Sequence, residues 1–446
     1  MVITFNILIW VIFVSAIFFY INLSYSNGIN PDNNEKNYKL NKADYWILTG
    51  SPIYIDDNDP NNNWAITAAI NDWCSGSGTW NDPYIIENVT IDGLISGTIR
   101  ILNSDVNFII RNNTLFNGNW GIYLEDVENG LLINNTFSYS SSHGIELRHG
   151  QNITIVKNIV ENNFRGLTLT ASSNNNIVRN NSVSFNGDPS GDYYAGIVIQ
   201  NSDGNIIQEN EVFNNENGGI FTDFDSNNNE ILGNNFYGNE YGMQLSGNGY
   251  NQILDNNISN NDYGIYFESS SNYNNVSKNF IVNNNLYGII LDSNQNYIYL
   301  NNFSKNSINA LDNGVDNKWD YGEVGNYWDD YNGVDANNNS IGDTPYDIPG
   351  SARSKDYYPV VGSFESVLFY FPSFDIPTIN IEIAIISVII VFGIIGSFGL
   401  IYGNYKYHWF WNRKLKKQIN LEANEVELSK TKKTPIIRKI LYYIPI

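Results

Sequence analysis

Between residues 97 and 310 the chain runs in short apolar–polar alternations broken by polar turns. A Gly-apolar pair recurs at Gly121, Gly144, Gly166, Gly196, Gly219, Gly242, Gly264 and Gly288. The steps are 22 to 24 residues, with one of 30, and a further step of 22 reaches Ala310. After each Gly the order is apolar, any, then usually apolar, as in Ile122/Leu124, Ile145/Leu147, Ile197/Ile199 and Ile289/Leu291. That alternation predicts a short strand with one buried face.

Two columns of Asn keep step with the glycines. One holds Asn113, Asn135, Asn158, Asn181, Asn210, Asn234, Asn256, Asn279 and Asn301; the other holds Asn163, Asn186, Asn215, Asn239, Asn261, Asn284 and Asn306. Each repeat therefore reads as three short strands and three turns. One such coil cannot bury its apolar side alone, but coils stacked at ~4.8 Å can. About ten coils are expected, in a stack roughly 45–50 Å long by the strand spacing. Asn suits the turns because it tolerates left-handed backbone and, stacked, can bond the amide of the next coil. The Gly column is expected to supply permissive backbone at another corner.

Composition supports a folded repeat. The 446 residues include 77 Asn but only 16 Lys, so AT-rich codon usage alone does not explain the Asn. With 42% hydrophobic and 14% aromatic residues, the chain is not a polar disordered tract. The insertion Asn186–Tyr194 contains Asp-Pro and Ser-Gly and predicts a loop leaving the cylinder at one corner. Within Asn63–Cys74 the apolar spacing predicts a short helix capping the open end. The single cysteine, Cys74, excludes an internal disulfide.

"GSGTWNDPYIIENVTIDG" (Gly76–Gly93), the repeats, and "GNYWDDYNGVDANNNSIGDTPYDIPG" (Gly325–Gly350) together resemble the NosD-type, carbohydrate-binding and sugar-hydrolase (CASH) parallel β-helix family, over about Tyr54 to Val361. The resemblance implies a right-handed parallel β-helix outside the cytoplasm. The family includes a copper-delivery accessory protein, and related folds include polysaccharide lyases and hydrolases. A copper role is not expected here, because copper sites need His, Cys or Met. The chain has three His, one Cys and two Met, and His143 and His149 are expected as exposed residues on polar turns around one short strand.

The expected organisation is all-β with two flanking hydrophobic segments. Residues 1–26 are a signal peptide or an N-terminal anchor, 27–96 an N-terminal cap with the first coil, and 97–310 the repeats. Residues 311–362 form a C-terminal cap, 363–380 a linker, 381–405 a transmembrane helix and 406–446 a basic tail. Ile383–Tyr405 carries no charge and is followed by a basic, aromatic flank, which places the tail in the cytoplasm. From Gly403 onward there are ten Lys/Arg against three Glu, so the rest of a chain of net charge −22 is strongly acidic. An acidic exterior argues against nucleic acid as a partner. Nine sequons, at Asn88, Asn112, Asn134, Asn152, Asn180, Asn257, Asn275, Asn302 and Asn338, permit glycosylation in an exported chain.

Candidate chemistry lies on the outer face of the Gly strands. Positions one and three after Gly point inward, so positions two and four point outward. They bring aromatics beside charged groups: Tyr123, Glu125, Arg148, Phe221, Asp223, Tyr266, Glu268 and Asp292, with Asp225 close by. Such a mixture suits an extended glycan. Glu268 and Asp292 fall in successive coils at ~4.8 Å, and Asp223 and Asp225 roughly 7 Å apart along the chain. These separations are near the carboxylate spacings of glycosidases, about 5–5.5 Å or 6.5–9.5 Å. Arg148 beside Glu125 would instead suit a polysaccharide lyase. Three readings follow: glycan binding, a polysaccharide-active enzyme, and a structural or accessory surface protein.

A metal candidate is "DANNNSIGD". Asp335, Asn337, Asn339 and Asp343 place oxygens at positions 1, 3, 5 and 9 of a calcium-type loop, with the Ile341 carbonyl at 7. Ser340 stands where Gly is expected, and Tyr346 where the bidentate Glu is expected.

Overall fold

A computed structural model describes residues 46–187 and 195–362. The leader, linker, transmembrane helix and basic tail expected at 1–26, 363–380, 381–405 and 406–446 lie outside the described residues, as does most of the Asn186–Tyr194 loop. Among the described residues no helix is long and apolar enough to cross a membrane.

The described chain is a parallel β-solenoid of about ten turns, as its periodicity predicts. Three sheets run its length. Sheet 1, of 11 strands, contains the Gly strands, such as Trp120–Val127, His143–Arg148 and Tyr263–Phe267. Sheet 2, also of 11, contains Gly130–Ile133 and its equivalents; sheet 3, of 12, contains Thr136–Ser138 and its equivalents. Each coil visits the sheets in that order. Pairing is parallel except where Cys74–Ser75 meets Tyr84–Glu87 and in a small C-terminal ribbon.

Alternation fills the cylinder. Ile122, Leu124, Ile145, Leu147, Ile265, Phe267, Ile289 and Leu291 are fully buried, as are their partners in sheets 2 and 3, such as Ile253, Ile258, Val276 and Ile281. The end of the repeat is offset by one residue from the expected phase: Ile289 pairs with Ala310, so Asn309, not Ala310, stands opposite Gly288.

Both expected Asn columns are continuous hydrogen-bonded ladders. The Asn279 Oδ1 accepts the backbone N–H of Asn256 at 2.9 Å and its side-chain amide at 3.0 Å, while that same amide donates to the Ile231 carbonyl of the coil before. The bonding repeats from Asn113 to Asn326. A third ladder, Asn176–Asn205–Asn229–Asn251–Asn274–Asn296–Asn317, occupies the corner between sheets 1 and 2. The sequence pattern did not separate it from its Asn-rich surroundings.

The Gly column has a different role from the one expected. Its members lie inside sheet 1 strands, and none has the positive φ of a corner residue. Corners instead use residues such as Asn134 (φ 55), Asn180 (φ 52) and Asn260 (φ 57). Gly is needed for close approach: a Cβ at Gly242 would lie 2.6 Å from both the Gly264 carbonyl and the Ile258 Cγ2.

The ends are capped by aromatic residues. The predicted helix forms at Trp64–Ile70, with Asn63 accepting from the Ile66 N–H as N-cap. Trp64 closes the core by stacking on Tyr84 and Phe108 at 5.2 and 5.5 Å, and its indole donates to Ser104. At the other end Trp328 stacks between Phe303 (4.5 Å) and Tyr346 (4.3 Å).

Two buried carboxylates terminate the ladders there. The donors of a ladder point toward the C-terminal coils, so its last Asn needs an acceptor that no further Asn provides. Asp356 takes the Asn326 N–H at 2.7 Å and the Trp328 indole at 2.9 Å. Asp312 takes the Asn317 amide at 2.8 Å and the Trp319 indole at 2.9 Å. Burial pushes Asp356 up to about 7, against the pull of its hydrogen-bond donors.

Two outcomes follow. Replacing Asn234, which is buried, by Ala leaves backbone and side-chain partners unpaired and should cost about 2–4 kcal/mol in denaturant unfolding. The exposed Asn257→Ala should cost under ~0.5 kcal/mol, and equal losses would refute the ladder argument. Folded Asp356 keeps its proton to higher pH than the unfolded carboxyl, so its stabilisation is full below pH 4 and lost as pH rises toward 7. Thermal midpoints of wild type should therefore decline across pH 4–7 more steeply than those of Asp356→Asn; parallel profiles would rule this out.

Candidate functional surface

The outer face of sheet 1 carries three columns, one more than alternation from Gly suggested. The residue before each Gly also points outward, giving Trp120, His143, Arg165, Ala195, Gly218, Tyr241, Tyr263 and Tyr287 in register. Beside it run the expected columns at positions two and four. The face divides into three zones.

The N-terminal zone is a charged network. Tyr123 donates to Glu125 at 2.9 Å, and Arg148 Nε lies 3.6 Å from Glu125 in the neighbouring coil. Arg148 also lies 3.7 Å from Glu146, whose other oxygen is 3.2 Å from His143 Nδ1. Arg165 Nη1 meets His143 Nε2 at 3.3 Å, which leaves the ring proton on Nδ1 facing Ser142 and Glu146. Arg100 packs over Tyr123, with its guanidinium 5.2 Å from the ring centroid. Burial, then the Arg165 and Arg148 charges, drive His143 down to about 3, so the imidazole is neutral. Burial raises Glu146 while Arg148 opposes it. His143 is buried at the start of a strand, contrary to the exposed-turn expectation; His149 is indeed exposed in a turn.

The middle zone is apolar and closed. Ala195, Val198 and Phe221 form a separate buried cluster, and Phe221 is only 2% exposed. This corrects its expected place as a sugar-stacking ring: alternation sets which side of the sheet a residue leaves, not whether solvent reaches it. Asp225 is corrected too. Its strand ends at Asp223, and Phe224 and Asp225 both adopt left-handed backbone, so Asp225 sits exposed in the corner. The pairing of Asp223 with Asp225 is not formed. Asp223 is raised first by burial and then by Glu268, two coils on in the same column, while Ser246 between them bonds to it.

The C-terminal zone is an open tyrosine surface. Tyr241 and Tyr263 stack at 4.7 Å and 13°, and Tyr263 and Tyr287 at 6.0 Å and 4°. Tyr266 donates to Asp292 at 3.0 Å, and Asn313 donates to the other oxygen at 2.9 Å. Gln244 donates to Glu268. Glu268 and Asp292 thus occupy successive coils as expected, but each is tied to its own neighbours. Burial raises Tyr241 to about 12, and burial with the Asp292 hydrogen bond raises Tyr266 further, so both remain hydroxyl donors at neutral pH.

The Asp335 loop folds back on itself. Asp335 accepts the Asn339 and Ser340 N–H groups at 3.1 and 2.9 Å, and Asp343 accepts the Ala336 N–H at 2.7 Å. Asn337 and Asn339 accept the N–H groups two residues on. Ser340 adopts the left-handed conformation (φ 67) for which Gly was expected. Tyr346 belongs to the cap, stacking on Trp328 and donating to Asp330.

Residues 47–193 match the family described as right handed beta helix region, and residues 181–333 the family described as periplasmic copper-binding protein (NosD). No curated protein matches the chain. Among solved structures, the mannuronan C-5 epimerase A-module of Azotobacter vinelandii is 19% identical, covering 53% of this chain and 72% of its own, with a TM-score of 0.47. The Dettilon tailspike protein is 17% identical, covering 53% and 57%, at 0.44, and a periplasmic alginate epimerase is 15% identical, covering 60% and 83%, at 0.40. At those scores the likenesses carry no inference about chemistry. The two family matches meet within the repeats and together run from the first strand of the solenoid into its C-terminal cap, and the chain is similar to each family over the part that it matches.

Proposed function

We propose that this β-helix acts outside the cytoplasm, held to a membrane by residues 381–405, and binds extended carbohydrate along the outer face of sheet 1. The observation that carries this reading is the tyrosine column Tyr241–Tyr263–Tyr287 beside Tyr266, Glu268 and Asp292. Because the rings stack along the solenoid axis, they present edges and hydroxyls outward, with carboxylates one column away. The chemistry repeats once per coil, a period comparable with one pyranose in an extended chain. A repeating surface of fixed donors and acceptors matches a repeating ligand, and little ordering cost attends binding to groups already held. The N-terminal zone, with Tyr123, Glu125 and Arg148, extends the same face beyond the apolar middle.

An enzymatic reading has one observation in its favour: Asp223, raised by burial and by Glu268, has the character of an acid on this face. Hydrolysis would need a second carboxylate free to act opposite it. Glu268 is held by Gln244 and Asp292 by Tyr266 and Asn313, an arrangement that suits holding sugar hydroxyls. Calcium is proposed to bind weakly at Asp335, Asn337, Asn339, the Ile341 carbonyl and Asp343, because Asp335, Asn337 and Asn339 all turn side-chain oxygens onto N–H groups of this one loop.

A polysaccharide array probed with the full chain should give a ligand whose affinity falls at least tenfold in Tyr263→Ala and stays unchanged in Trp80→Ala, an exposed ring far from the face in sequence. Equal affinity in both variants, or no ligand at all, would sink the binding reading. Release of reducing ends or unsaturated sugars, lost in a Glu268→Ala/Asp292→Ala variant, would replace it with the enzymatic one. For the loop, chelation should lower the thermal midpoint of wild type and leave that of Asp335→Asn where it is; a midpoint indifferent to chelator in both would dismiss calcium.

A further inference from the structure

A transition ion needs an accessible imidazole, thiolate or thioether. Soft donors are few, and most are spent on the fold. Cys74 is buried and its thiol is pushed up to about 12 by that burial. Met243 is wholly buried in the core. His143 is buried, with Arg165 at one ring nitrogen and Ser142 and Glu146 at the other. Among the described residues these leave His149 as the accessible imidazole.

His149 stands at a built corner. It follows the strand His143–Arg148 with φ 49, and Asp126 occupies the equivalent position of the preceding coil with φ 54. Matching left-handed backbone sends the two side chains out in parallel, and His149 Nδ1 lies 3.2 Å from Asp126 Oδ1. Glu125, the residue before Asp126, brings a third donor, and the three ligand atoms all lie within 4.8 Å of one another. Asp126 and His149 open on a cleft that Asp57, Asp105 and Glu128 also line, so the corner is acidic beyond the three donors. Metal–ligand bonds of about 2.0–2.2 Å need donors somewhat closer than that limit, and half-exposed side chains can supply the movement. Arg148 and the Tyr123 hydroxyl both hold Glu125, which makes Asp126 and His149 the stronger pair.

We propose that His149 and Asp126, with Glu125, bind one borderline divalent transition ion, Zn2+ or Cu2+, and that this solenoid offers no Cu+ site. One imidazole with two carboxylates is a mixed nitrogen–oxygen set. Such a set suits Zn2+ and Cu2+, whereas Cu+ selects thiolates and thioethers, here buried, and Ca2+ and Mg2+ prefer oxygen alone. The proposal is independent of glycan binding, although it shares Glu125 with that face.

The full chain would be titrated separately with Zn2+ and Cu2+, and with Cu+ under reducing conditions against a chromophoric chelator. One equivalent of Zn2+ or Cu2+ should bind, at least tenfold more weakly in His149→Asn and in Asp126→Asn. Both substitutions keep a residue that tolerates the left-handed corner, and unchanged thermal midpoints would show that the fold is intact. Cu+ should stay with the chelator. Wild-type Zn2+ and Cu2+ binding in His149→Asn, no binding of either ion by wild type, or a full equivalent of Cu+ taken from the chelator would each overturn the proposal.

Discussion

The structure depends on how a buried Asn carboxamide is shared between coils. Its oxygen accepts two N–H groups from the Asn one coil earlier, and its amide donates onward and back to a main-chain carbonyl. The corners of a solenoid turn backbone amides inward, where water does not reach them, and an unpaired buried donor is costly. Asn answers this at three corners with one side-chain type because it mimics a peptide group. The same geometry fixes the coil separation, so it also explains the Gly column. With backbones held that closely where sheet 1 begins, a Cβ would strike the next coil's carbonyl.

A directional ladder must end somewhere, and its end explains much of the C-terminal motif. Asn326 and Asn317 point their last donors at Asp356 and Asp312, each of which also holds a Trp indole across the end of the core. A neutral amide could accept these bonds, but its own donors would then lack partners. A carboxyl group supplies the acceptors without an amide's pair of donors, and at Asp356 the cost of burying its charge shows as a proton held toward neutral pH. The cap residues that look like candidate chemistry in sequence are, in these two cases, terminators of the hydrogen-bonding chain.

The periodic part of this molecule was readable because each coil repeats one physical requirement. Asn113 to Asn301 and Asn163 to Asn306 stood out since nothing else replaces Asn there. The third ladder hid among Asn174–Asn176 and Asn227–Asn229, where composition gives no phase. The Gly strands are legible in the sequence but their physical reason is not: positive φ is the usual use of Gly, and close approach leaves no trace in one sequence. The surface was harder. Phe221 and Glu268 occupy outward positions alike, but Phe221 is buried against Ala195 and Val198. Asp225 was placed by counting along a strand that had already ended. His143 and His149 bracket one short strand and read alike in sequence, whereas register puts His143 opposite Trp120 and Arg165 inside a sheet.

These differences bear on how function is read from a solenoid. Stacking brings carboxylates of equal phase to the same separation whatever they do, so spacing alone cannot distinguish a catalytic pair from a solvated file. What distinguishes the positions is the company each side chain keeps. Glu268 and Asp292 accept hydrogen bonds from Gln244, Tyr266 and Asn313, which orients their oxygens and leaves the tyrosine edges beside them open. Glu146 and His143 are enclosed and mutually bonded, and burial first, then the charges of Arg165 and Arg148, keep the imidazole neutral. The first arrangement presents a fixed pattern to a long ligand, the second anchors one zone of the face, and the apolar cluster at Phe221 separates them. A ligand long enough to follow the solenoid axis could engage both charged zones across that apolar step, whereas a small one would be confined to either.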